Sequence, residues 1–233
     1  MSTTTAPATA PEAEGHAGHD HHPPHLKHYF VSSDQQFDAS KMGMWLFLLT
    51  EVLLFSGMFV AYIVYRAWHP EVFVKMSELL NPFWGGFNTL VLLGSSFSVA
   101  LAIHYAQKND NKKLVMNLAI TLFCAGIFMV VKYIEYTDKF SHGIGMGEFF
   151  DPTGSYAQYA IPYAKQFFSI YFVMTGIHGF HVVIGMGIFT WLLIRARKGH
   201  FNSEYYTPVE LAGLYWHLVD IIWIFLFPLL YLI

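Results

Sequence analysis

ELAGLYWHLVDIIWIFLFPLLYLI, residues 210–233, is a run of Leu, Ile, Phe and Trp with a carboxylate, Asp220, near its middle. A second such run, MWLFLLTEVLLFSGMFVAYIVY at 44–65, carries Glu51. Both are long enough to cross a hydrocarbon core, which takes about 20 apolar residues. A charged side chain at the centre of a bilayer costs at least ~2.5–3.5 kcal/mol on insertion scales, so neither carboxylate belongs on a lipid-facing surface. Each is expected to face a helix bundle, a partner subunit or water, and to be protonated or hydrogen-bonded. The two runs together predict an intramembrane bundle with polar chemistry inside it.

The rest of the chain agrees. Of its 233 residues, 55% are hydrophobic, 18% aromatic and only 12% charged, against about 25% charged in soluble domains. Five stretches are predicted to span, at roughly 42–65, 87–107, 114–134, 167–194 and 211–232. This makes an all-α polytopic membrane protein with a transmembrane domain over 41–233. The alternating ten-residue segments of a transmembrane barrel are absent. A net charge of −3 makes no case for a nucleic-acid partner, and the single cysteine, Cys124, forbids an internal disulfide.

Residues 1–40 read as a disordered tail, rich in Ala, Thr, Pro and His. The tail begins with neither a basic segment nor an apolar one, so no signal peptide is expected and the first span serves as its own insertion signal. Its histidines, His16, His19, His21, His22, His25 and His28, offer a weak copper or zinc site, with a solvated tail as the plainer reading.

KNDNKK at 108–113 is a tight polar turn, which makes the second and third spans antiparallel neighbours. The long Gly- and Pro-rich loop at 135–166 is expected to fold over the bundle. On the N-terminal side lie Lys27, Lys41, Lys108, Lys112, Lys113, Arg195, Arg197 and Lys198. The other side carries Arg66, Lys75, Lys132, Lys139 and Lys165. The positive-inside rule then places the N-terminus in the cytoplasm and the C-terminus outside.

Several polar groups fall within the spans. His178 and His181 are three residues apart and share a helix face, as do His217 and Asp220, with Glu210 two turns earlier. Such groups can hydrogen-bond neighbouring helices, relay protons or ligate a haem, for which His178 and His217 are the candidate pair. Interhelical bonding is the reading preferred on chemistry alone. Gly94, Ser98 and Ala102, at four-residue spacing, predict a close helix contact. Asn88 and Thr89 are expected to cap the second span or to bond across it. The cluster Arg195, Arg197, Lys198 and His200 suits either lipid phosphates or ordinary interfacial anchoring.

The segments GMWLFLLTEVLLFSGMF (43–59), FNTLVLLGSSFS (87–98), TGIHGFHVVIG (175–185) and ELAGLYWHLVDIIWIFLF (210–227) resemble subunit III of the haem-copper oxidases. The resemblance runs over about residues 40–233 and is closest to the short, five-helix bacterial form of cytochrome c oxidase subunit III. It implies a core subunit with no catalytic residue and no metal or haem of its own, the haems and copper lying in subunits I and II. By the same resemblance it packs mainly on subunit I and also meets subunit II and phospholipid, within an aerobic respiratory complex or supercomplex of the bacterial inner membrane. That complex reduces dioxygen to water and translocates protons.

Glu51 matches the family's buried membrane glutamate, and Glu210, His217 and Asp220 match the polar stripe of its last helix. Arg195, Lys198 and His200 match its lipid-headgroup cluster, and His178 and His181 become packing and hydrogen-bonding residues. Long members hold phospholipid in a cleft walled by two further helices. Without those helices the cleft is incomplete unless another subunit supplies the wall. Quinol oxidases share the pattern, so the electron donor stays open between cytochrome c and quinol. A stand-alone proton-coupled transporter using Glu51 and Asp220 is the alternative from another class, and the lack of an internal repeat argues against it.

Overall fold

A computed structural model describes residues 29–233. The tail histidines, His16 to His28, lie outside the described residues. Six α-helices follow one another: α1 (Ser33–Trp68), α2 (Pro70–Ser77), α3 (Pro82–Gln107), α4 (Asn111–Ser141), α5 (Ala164–Arg197) and α6 (Thr207–Tyr231). All but α2 are long and apolar enough to cross a membrane, and no sheet occurs among the described residues.

The five spans fall where hydropathy puts them, but most of the helices are longer than the apolar runs. Local capping explains this. Ser32 accepts the Gln35 N–H at the start of α1, Asn81 accepts that of Phe83 at α3, and Asp110 accepts that of Lys113 at α4. Each side-chain oxygen satisfies one of the four N–H groups a helix start leaves unpaired. Residues 33–40 are therefore helical rather than part of the tail. The 108–113 turn does make α3 and α4 neighbours, with Asn109 in the left-handed region at φ 59°.

Helices α3, α4, α5 and α6 form a ring in which each touches the next and α6 returns to α3. Their contacts are close because glycines admit large side chains. A Cβ on Gly185 would lie 2.5 Å from the Trp216 indole, and one on Gly213 would lie 2.7 Å from Ile103. Ser98 and Ala102 are buried as expected, but Gly94 is exposed with nothing near it. The α3–α4 contact instead runs through Ser98, whose hydroxyl is 2.7 Å from that of Thr121.

Helix α1 stands outside this ring against α5 and α6. It buries only Leu48, Phe55 and Tyr62, one residue every seven, while Trp45, Leu46, Leu53 and Val60 are exposed. Tyr62 donates to the Leu229 carbonyl and so ties α1 to the end of α6. The loop after α4 does pack on the bundle end, with Phe150 stacked on Phe168 at 5.6 Å.

Candidate functional site

Glu51 and Asp220 each stand near the centre of their helix, α1 and α6. Glu51 Oε2 lies 2.8 Å from His181 Nε2, joining α1 to α5. The other ring nitrogen, Nδ1, lies 2.8 Å from the Ile177 carbonyl one turn back. That carbonyl takes the Nδ1 proton, which leaves Nε2 to meet the carboxyl group. The Tyr215 hydroxyl donates to the His181 carbonyl at 3.0 Å, adding α6 to the junction.

This pair forms part of the wall of an open groove of about 710 Å³ between α1, α5 and α6. Phe47, Leu54, Phe180, Ile184 and Leu211 make its other surfaces. The carboxyl–imidazole pair is thus set in an otherwise apolar trough near the middle of α1 and α5.

The expected stripe of Glu210, His217 and Asp220 does not act as one network. Glu210 pairs with Lys41 of α1 at 2.8 Å. His217 Nδ1 meets the Ser96 hydroxyl of α3 at 2.6 Å. Asp220 also faces Ser96, but neither of its oxygens has a well-formed hydrogen bond among the described residues. Losing Asp220 therefore does not strand Glu210, which has its own partner on α1.

His178 and His217 are not brought together. His178 is fully buried between the rings of Phe128 and Trp223, with both nitrogens unpartnered among the described residues. Asn88 lies inside α3 rather than at its cap and is likewise unpartnered, while Thr89 bonds across to α6 by accepting from Trp223 Nε1 at 3.1 Å. Among the described residues no three His, Cys, Asp or Glu side chains converge as metal ligands would. Lys198 and His200 project at the exposed end of α5, where the Arg195 guanidinium covers the Trp191 ring at 4.8 Å.

A second polar centre is not among the residues the sequence singles out. Lys132 and Glu135, one turn apart on α4, form a buried pair at 2.9 Å. The Lys132 ammonium also donates to Tyr231 of α6 at 2.9 Å and to Tyr171 of α5 at 3.1 Å. Both hydroxyls in turn donate to Glu135 Oε1, at 2.7 Å from Tyr231 and 2.9 Å from Tyr171. All three ammonium protons and one carboxylate edge are thereby satisfied within the bundle.

Lys132 and Lys139, which charge counting assigns to the outer loops, are both buried, and Lys139 donates to the Leu79 carbonyl at 3.1 Å. The signal is present in VVKYIEY (130–136), where a Lys and a Glu stand three apart inside an apolar helix. The two tyrosines, far away in sequence, give no sign.

Five helices long and apolar enough to span a membrane, packed around buried polar pairs, make this an integral membrane helical bundle. The sequence model of the family described as cytochrome c oxidase subunit III matches residues 32–233. Cytochrome c oxidase subunit 3 of Synechocystis is 34% identical over 97% of this chain and 82% of that protein. The Thermostichus vulcanus subunit 3 is 33% identical over 84% and 88%, and that of Sus scrofa 31% identical over 82% and 68%. The chain belongs to the cytochrome c oxidase subunit III family. It is a multi-pass membrane protein whose place is in a complex with other oxidase subunits.

Proposed function

We propose that this chain is the non-redox third subunit of a proton-pumping, cytochrome c-driven oxidase in a bacterial inner membrane. It packs on subunit I, binds phospholipid and supports assembly and proton uptake, while haem and copper chemistry takes place in subunits I and II. The observation that carries this reading is the Glu51–His181 pair in the wall of the apolar groove. A trough of this kind suits acyl chains, and a paired carboxyl and imidazole at its wall can hold and pass a proton.

The exposed Lys198 and His200, beside Arg195 at the end of α5, suit the phosphates at one membrane surface. The N-terminus is placed in the cytoplasm. With Lys132 and Lys139 buried, the opposite loops retain Arg66, Lys75 and Lys165, which sharpens the charge bias. The donor is taken as cytochrome c because the Synechocystis, Thermostichus and Sus scrofa relatives are subunits of cytochrome c oxidases. Quinol remains the second reading, since the donor docks elsewhere.

Isolation of the tagged chain in mild detergent tests this. Co-isolated a-type haem bands with oxygen uptake driven by cytochrome c are expected. Uptake driven only by quinol overturns the donor, and a colourless chain without partners overturns the reading.

A further inference from the structure

Asn88 in α3, His178 in α5 and Asp220 in α6 share three properties. Each is at most 2% exposed. No nitrogen or oxygen of their side chains has a well-formed hydrogen bond among the described residues, Asp220 facing only the Ser96 hydroxyl. They come from three successive members of the four-helix ring and are grouped around Trp223. The Trp223 indole N–H reaches Thr89, the residue after Asn88, its ring lies 5.2 Å from that of His178, and it follows Asp220 by one turn.

An unpaired buried polar group costs roughly 1–3 kcal/mol, and the lipid around this bundle offers no outside partner. The three side chains present six polar atoms, donors and acceptors mixed, and make no hydrogen bond to one another. Groups so placed are characteristically bridged by buried water, each molecule making about three hydrogen bonds. Phe128, edge-on to both His178 and Trp223, closes the fourth side from α4.

We propose that the centre of the α3–α6 ring is a water-binding site, in which a small ordered cluster bridges Asn88, His178 and Asp220. The half-buried Ser96–His217 pair, with Ser96 facing Asp220, is its edge toward the outside and the route by which its water exchanges. The site is separate from the Glu51–His181 groove and does not depend on the role given to that pair.

The direct test is a structure of the assembled oxidase at a resolution that shows water. Density peaks about 3 Å from Asp220, His178 and Asn88 are expected. A dry centre, with these side chains bonded to one another or to backbone, overturns the proposal. A double substitution gives an independent reading. Asn88→Leu and Asp220→Leu each disrupt the shared cluster, so the second should lower the melting temperature less in the presence of the first than alone. Additive shifts overturn the coupling through water.

Discussion

The two buried acid–base pairs of this membrane domain differ in how many hydrogen bonds hold them. Lys132–Glu135 sits on one helix and is closed off by tyrosines from two others, so each charge is surrounded by hydrogen bonds within the bundle. Glu51–His181 spans two helices, one of them the loosely attached α1, and borders an open trough. Although Glu135 also borders a smaller pocket of about 220 Å³ beside Trp84 and Lys139, a pair held this way fixes geometry, because tyrosines on two other helices bond to both charges. An open pair at the edge of a groove keeps one side available to lipid, water or a partner subunit. The first is an internal lock, and the second is the place where function is to be sought.

The largest effect should come from opening the lock. Lys132→Leu removes the ammonium and leaves Glu135 buried beside two tyrosine hydroxyls. Breaking a buried pair from one side costs about 3–5 kcal/mol, so the melting temperature should fall sharply and the chain should be lost from the purified complex. Replacing both members, Lys132→Met with Glu135→Leu, should restore most of that stability, because no uncompensated charge remains. If the double variant is as damaged as the single, the pair does more than hold the fold.

His181→Phe breaks the open pair and should cost less, about 1–3 kcal/mol for a buried carboxyl group left without its partner. The helix keeps its ring volume, and the Tyr215 bond to the residue 181 carbonyl survives. A loss as large as that of Lys132→Leu, measured by melting of the same complex, would erase the distinction between the two pairs.

The smallest effect lies outside the membrane. The Lys113 backbone N–H, then its ammonium, hold the Asp110 carboxyl below the ordinary carboxylate range. A depressed value means that the cap contributes above the unfolded-state pKa of about 4 and fades as pH falls through the lower folded value. The protection factor of the Lys113 amide, its exchange corrected for the intrinsic rate at each pH, should therefore fall only in acid, and Asp110→Asn should leave oxygen uptake at neutral pH unchanged.

The open pair is partly legible in the sequence, and the closed one is not. Glu51 stands out because it interrupts 22 residues of apolar sequence, and the family resemblance points to it again. Its partner His181 is visible too, but it groups with His178, because spacing on one helix says nothing of which neighbour each ring meets. Lys132 passes for an interfacial charge because it stands two residues before the apolar run fades at Ile134. The helix continues to Ser141, and tyrosines from α5 and α6 make that continuation tolerable. Helix α2 is hidden for a similar reason: eight residues from Pro70 carry too little periodicity to separate from a loop. Apolar length thus locates spans well, while polar partnerships between spans depend on packing that no single segment encodes.

Glu51→Gln in the assembled oxidase tests the central claim most directly, because it removes the titratable oxygen of the open pair and keeps its shape. The measurement is protons moved per electron, followed together with the number of turnovers before activity decays. Normal haem content and assembly are expected, with fewer protons per electron or an earlier loss of activity. An oxidase that assembles, pumps and lasts like the parent would contradict the account and leave Glu51–His181 as another lock between helices.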